Sequence, residues 1–287
     1  MDANTWQPAA SGSIPAMGWI TGSGNVSYLN TNDPTTAKFF FDTPNSFCTG
    51  VSLTHSPAPS GYALTPILSV DSYTNPASDT GDPGLVGDGT SGPGGGLLPT
   101  GAITYPYQWI MYDIEGWAAT PTVEQDDPPT YMQNFINACH TNIPRYKAIM
   151  APGYDLYSAA ALANYPLLPG EQRWQWFVRV IVAMGGAGCD LFVLQQESQQ
   201  GSPIFAELFN AAAGTLASIS PSTLVYGEVS SSNATGSTQQ ELGASMVTDA
   251  VTLTSPYPDG FYAAMPSPNQ AAGRYFLDDM MAAGYSA

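Results

Sequence analysis

The sequence predicts an α/β protein, a (β/α)8 barrel of the TIM type that is irregular in its first third. Three observations predict it. Eight short apolar runs read as strands, and helical periods alternate with them from residue 109 onward. The strands are also near-continuous apolar runs, as strands buried on both faces must be. A doubly wound sheet is the alternative. At 287 residues the chain can bury one sizeable core, and no repeat or linker divides it, so residues 1–287 read as a single domain.

In chain order the strands are "AMGWI" (16–20), "KFFFD" (38–42), "ALTPILSVD" (63–71), "WIMYDIE" (109–115), "KAIMA" (147–151), "LFVLQQE" (191–197), "LVYGEV" (224–229) and "GFYAAM" (260–265). After the third comes a Gly/Pro-rich loop at about 71–99 with no periodicity, longer than ordinary connections. Its acids Asp79, Asp82 and Asp88 do not have the spacing of an EF-hand. After the fourth, Asp127 is placed to cap "PPTYMQNFINACH", with prolines in the first turn and Tyr131, Phe135 and Cys139 repeating every four residues. The next helix, "EQRWQWFVRVIVAMGG", puts Trp174, Phe177, Val178, Ile181 and Val182 on one face and stops at Gly185 and Gly186. Trp174 and Trp176 inside it read as packing. "SPIFAELFNAAAGTLASI", "STQQELGASMVTDAV" and "NQAAGRYFLDDMMAAG" supply three more helices.

Charge excludes several partners. Acidic residues number 23 against 6 basic, a net of −17, although charged residues are only 10% of the chain. Nucleic acid and anionic membrane surfaces need Lys and Arg clusters that this sequence lacks. No run of 18 apolar residues is present to span a bilayer. A surface built from Ser, Thr, Asn, Gln, Gly and Pro leads us to expect a secreted, extracellular protein. The N-terminal "MDANTWQPAASGS" has neither a basic nor an apolar segment, which we read as a start Met replacing a signal peptide. Cys48, Cys139 and Cys189 show no C-x-x-C pairing, and with only His55 and His140 to help, a zinc site is not expected. Cys139 ends a helix and Cys189 precedes a strand, so a disulfide between them is geometrically conceivable. No nucleotide-binding or serine-hydrolase motif is present, and no cofactor or metal is expected.

The acids fall at strand ends. Asp42, Asp71, Asp113, Glu115, Glu197 and Glu228 lie at or just past the C-terminal end of a strand, and Asp155 follows the fifth by a few residues. Asp113 and Glu115 differ by two, so on a strand they share a face. Carboxylates held that close cannot ionise independently; one keeps its proton while the other stays charged. Glycosidic bond cleavage needs that combination, a proton for the leaving oxygen and a negative group for the developing oxocarbenium ion. The bland alternative is that either acid caps a turn or pairs with one of the few arginines.

In these residues the sequence resembles the barrel-type glycoside hydrolases. With "AMGWI" as the first strand, "YDIE" ends the fourth and "YGEV" the seventh. Resemblance to the retaining branch implies Glu115 as acid/base and Glu228 as nucleophile, with Ile114 standing where that branch has Asn. Resemblance to the chitinase-like branch rests on the Asp-x-Glu of "YDIE". It implies Glu115 as proton donor and Asp113 as the residue orienting a substrate acetamido group, with Trp109 and Met111 in place of the branch's earlier acids. Both branches put Glu115 at the centre. The expected activity is hydrolysis or transfer of glycosidic bonds in a poly- or oligosaccharide. The catalytic candidates are Glu115 as proton donor, then Asp113, Glu228 and Glu197. Asp42, Asp71, Trp117, Tyr154, Asp155, Gln195 and Tyr226 are expected to bind the carbohydrate, the aromatics by stacking on sugar rings. The alternatives are a carbohydrate-binding barrel without catalysis and a hydrolase of a non-sugar polymer.

Overall fold

The computed structural model describes residues 18–22, 39–43, 63–70, 72–73, 109–117, 120–141, 146–254, 258–265 and 268–283, the first three segments up to residue 69 by their backbone. Five strand–helix units form its body. Strands β4 (Trp109–Tyr112), β5 (Lys147–Met150), β6 (Leu191–Leu194), β7 (Leu224–Ser230) and β8 (Gly260–Ala264) pair consecutively and all in parallel. Helices α1 (Thr122–Asp126) and α2 (Pro128–Thr141) follow β4, and α3 (Ala159–Asn164) and α4 (Arg173–Phe177) follow β5. Then α5 (Pro203–Ile219), α6 (Gln239–Ala250) and α7 (Gln270–Ala282) follow β6, β7 and β8.

The expected regular eightfold repeat is corrected by this architecture. The described strand–helix units make a five-strand, all-parallel half-barrel sheet, not eight β/α units. The backbone segments β1 (Gly18–Gly22), β2 (Phe39–Thr43) and β3 (Ala63–Val70) carry parallel ladders that run from β4 round to β8, but no described helix separates them. The helical periodicity that marks each later unit is missing from the first hundred residues of the sequence, and the described structure divides at the same place. The 71–99 loop, apart from Ser72 and Tyr73, lies outside the described residues.

Alternate side chains of the strands go to two cores, as period two requires. Trp109, Met111, Ile149, Ala151, Leu191, Val193 and Tyr226 pack together on the concave face. Ile110, Tyr112, Ala148, Met150, Phe192, Leu194 and Val225 pack against the helices. Both faces are covered, so the strands carry no polar alternation until they end.

The helices show why local sequence fixes them. In α6, Thr238 accepts from the backbone N–H of Glu241 at 3.2 Å while the Glu241 carboxylate accepts from Thr238 N–H at 3.0 Å, a reciprocal cap for two otherwise orphaned donors. Pro203 opens α5, where its missing N–H costs nothing. The segment after α4 departs from expectation: Val178–Gly185 is π-helical. Phe177, Ile181 and Val182 of the expected face are buried together with Trp176 and Val180, while Trp174 and Val178 are only partly covered. Trp176 donates its indole N–H to Tyr165 O at 2.6 Å. Among the described residues no helix is long and apolar enough to cross a membrane.

Candidate active site

The concave face of the sheet leads directly to the acids. Two residues beyond its last apolar side chain, each strand reaches a new type of residue: Met111 gives way to Asp113, Ala151 to Gly153, Val193 to Gln195 and Tyr226 to Glu228. Two residues further on stand Glu115, Asp155 and Glu197. The ladder continues past the regular strands through a parallel bridge between Gly153 and Gln195, while Glu228 stands in register with Tyr262. Period two thus carries the acids to the carboxyl ends of the strands, where open parallel sheets bind ligands.

Contacts tie these positions together. Gln195 Nε2 donates to Asp113 Oδ1 at 2.6 Å, which joins the ends of β4 and β6. The N–H of Gly116 donates to Asp155 Oδ1 at 2.9 Å, and that of Gly153 to Ile114 O at 2.8 Å, which joins β4 to the loop after β5. Gly153 is required by this packing. A Cβ there would stand 2.6 Å from Asp155 Oδ1 and 3.0 Å from Glu115 Cγ, so the absence of a side chain lets both acids approach. Thr120, buried just before α1, accepts from the N–H of Glu115 at 3.1 Å.

Glu228 is the most perturbed acid of the group. It is 5% exposed, and its Oε2 has no hydrogen-bond partner among the described residues. Burial pushes its carboxyl well above the ordinary range, and the charges of Glu197, Asp113 and Glu115 push it further. Glu197 is raised too, first by burial and then, against a lowering contribution from its own backbone N–H, by Asp155. Its Oε2 is likewise buried without a partner among the described residues. Acids from the ends of β4, β5, β6 and β7 therefore lie within electrostatic reach of one another.

The remaining expectations divide. Trp117 follows Glu115 and Gly116 and is 49% exposed. Tyr154 and Tyr226, expected to touch substrate, are core residues. Tyr154 packs against Phe177 at 5.4 Å between ring centroids and lies under the Arg173 guanidinium. Tyr226 is wholly buried one layer below Glu228. Asp42 is described only by its strand backbone, and Asp71 lies outside the described residues. Cys139 and Cys189 are both buried free thiols, which corrects the disulfide considered from their positions; burial raises both thiols. His140 pairs instead with Asp190 at 2.7 Å. Among the described residues no three His, Cys, Asp or Glu side chains are placed to hold a metal ion.

Two structural residues escaped the sequence reading. Glu124, buried in α1, accepts from the Ser72 hydroxyl at 2.9 Å, from the Tyr73 N–H at 3.0 Å and from the Tyr112 hydroxyl. Gln196 is wholly buried, and neither of its amide atoms has a partner among the described residues. The unusual polar run "QQE" after an apolar strand was the only sequence sign of the second.

Comparison with protein-family models and with curated proteins finds no match to the chain.

Proposed function

We propose that the protein cleaves or transfers glycosidic bonds, with Glu228 and Glu115 as its acid–base pair. One observation carries the reading: a buried carboxyl near the end of β7, with an oxygen unpartnered among the described residues, feels carboxylates from the ends of β4 and β6. The proposal stands on these side chains and not on a fold class. An acid raised by burial and like charge holds its proton to higher pH than an ordinary carboxyl, which favours the state a proton donor needs. We therefore give the donor role to Glu228 and the ionised role to Glu115, the reverse of the assignment that resemblance implies. A nucleophile must be charged to attack, and every described neighbour that acts on the Glu228 carboxyl opposes its ionisation. Asp113 is held by Gln195 and adds negative charge beside the developing oxocarbenium ion.

In the reaction, the C–O bond to the leaving sugar breaks as the proton of Glu228 passes to the leaving oxygen. The anomeric carbon then takes the oxygen of water, or of an acceptor hydroxyl in transfer, and the proton of that nucleophile returns to the carboxylates. Trp117 offers an exposed ring face for an adjoining sugar. The test is release of reducing ends from a panel of oligosaccharides. Glu228→Gln and Glu115→Gln should each lower kcat by about 100-fold to 10,000-fold, the usual worth of a positioned acid or base, with binding retained. Wild-type protein that binds glycans and releases nothing would make this a binding module instead.

A further inference from the structure

We propose that the site recognises a cationic amino sugar, so that the substrate is a glycan carrying free primary amines, not their N-acetylated or uronic counterparts. The inference rests on the glycosidase reading and names its substrate class.

Charge balance sets the substrate class. Glu228 and Glu197 each bury one carboxyl oxygen with no partner among the described residues, and the described charges acting on their carboxyls are Glu197, Asp113, Glu115 and Asp155, all acidic. A buried carboxylate ordinarily has a cation or several N–H donors to offset its desolvation. The described basic side chains are engaged elsewhere. Arg173 donates to Tyr154 O at 2.6 Å and lies over the rings of Tyr154 and Tyr157, and Arg179 pairs with Glu171 at 2.7 Å. Lys147 sits 4.8 Å over the Trp109 ring, and Arg274 is 3.7 Å from Asp278 along α7.

Burial and the neighbouring acids favour the protonated form of Glu228, and no described cation acts on its carboxyl to offset them. An ammonium group would bring a positive charge and three donors where the described residues supply none to the buried oxygens of Glu228 and Glu197. A neutral hydroxyl can donate to one oxygen but leaves the like charges opposed. N-acetylation removes the charge and two of the donors, and a uronate adds one more negative group. Trp117, exposed beside this cluster, gives the sugar ring a face without selecting its charge.

The experiment measures binding apart from turnover. Calorimetry with the Glu115→Gln protein compares glucosamine and galactosamine oligomers with their N-acetylated and uronic counterparts of equal length. An amino oligomer should bind about tenfold or more tightly than its acetylated form, the scale of a hydrogen bond to a charged group. That preference should weaken at high salt and collapse in Glu115→Gln/Glu197→Gln. Equal or tighter binding of the acetylated or uronic oligomers would overturn the inference. So would an amino preference that survives loss of Glu197. Turnover by wild-type protein is scored separately: cleavage of neutral glycans alone overturns the inference and keeps the glycosidase, whereas amine-selective binding without cleavage overturns the glycosidase and keeps the recognition. Absence of binding to every oligomer overturns both.

Discussion

Glu228 is held in the fold at a cost, and its pH dependence has a definite sign. Its carboxyl is raised above the ordinary value of 4.5. Between that value and its folded midpoint the native state binds the proton more tightly than the unfolded chain does. Stability therefore falls as pH rises through this window, and the full penalty applies above it. Glu228→Gln removes the ionisable group. The variant should melt above wild type at pH 7 and 8, each kcal/mol recovered appearing as about 2–4 °C, and the two should converge below pH about 4.5. Scanning calorimetry across pH checks this; a variant that melts lower at every pH would show that the acid stabilises the fold. Gly153 is the second residue whose chemistry is dictated by its neighbours. Gly153→Ala forces Asp155 and Glu115 apart. We expect at least about a tenfold loss of kcat, since small displacements of reacting groups are costly, with little change in melting temperature.

Strand periodicity accounts for how much of the site could be read from sequence. Apolar runs located the strands, and counting by two from Trp109, Leu191 and Leu224 arrives at Asp113, Gln195 and Glu228. Which aromatics face a ligand was not readable in the same way. Tyr154 and Tyr226 lie close to the acids in sequence, but Tyr154 is covered by Phe177 of α4 and Tyr226 by the inner core of neighbouring strands, partners placed by distant sequence. The π-helical turn from Val178 was hidden for a related reason: a 3.6-residue count cannot reveal a segment wound more widely. Two further predictions belong to this scale. At Gly243 helices α6 and α7 meet so closely that a Cβ would lie 2.6 Å from Tyr275 Cβ and 2.8 Å from Ala272 O. Gly243→Ala should lower stability by about 1–3 kcal/mol in urea titration, because backbone cannot yield as a side chain can. Glu124 gathers donors from the end of β3 and from β4 onto α1, so Glu124→Ala should cost about 3 kcal/mol by the same measurement. A loss under 0.5 kcal/mol would mean that solvent replaces it.

At the scale of the molecule, the chain divides between a helix-backed half-barrel from residue 109 onward and three strand segments before it with no described helix between them. The eightfold expectation extended a rhythm that five strand–helix units show among the described residues. Apolar runs mark a strand, but the covering layer is set by helices, and the first third of the sequence has no 3.6-residue period to supply them. The net charge of −17 and the acid-rich strand ends belong together: few cations are present anywhere to compensate the site. The thiols of Cys139 and Cys189 are buried and raised, so neither should react with an aromatic disulfide reagent in native protein, and both should react at once in denaturant. The central claim is that acids from separate strands meet and hold a proton on Glu228. Carbon-13 NMR titration of the Glu228 carboxyl in the intact protein tests it most directly. The midpoint should lie above 4.5 and should fall when Glu197→Gln removes a neighbouring charge. A midpoint at the ordinary value, unmoved by that substitution, would contradict the account.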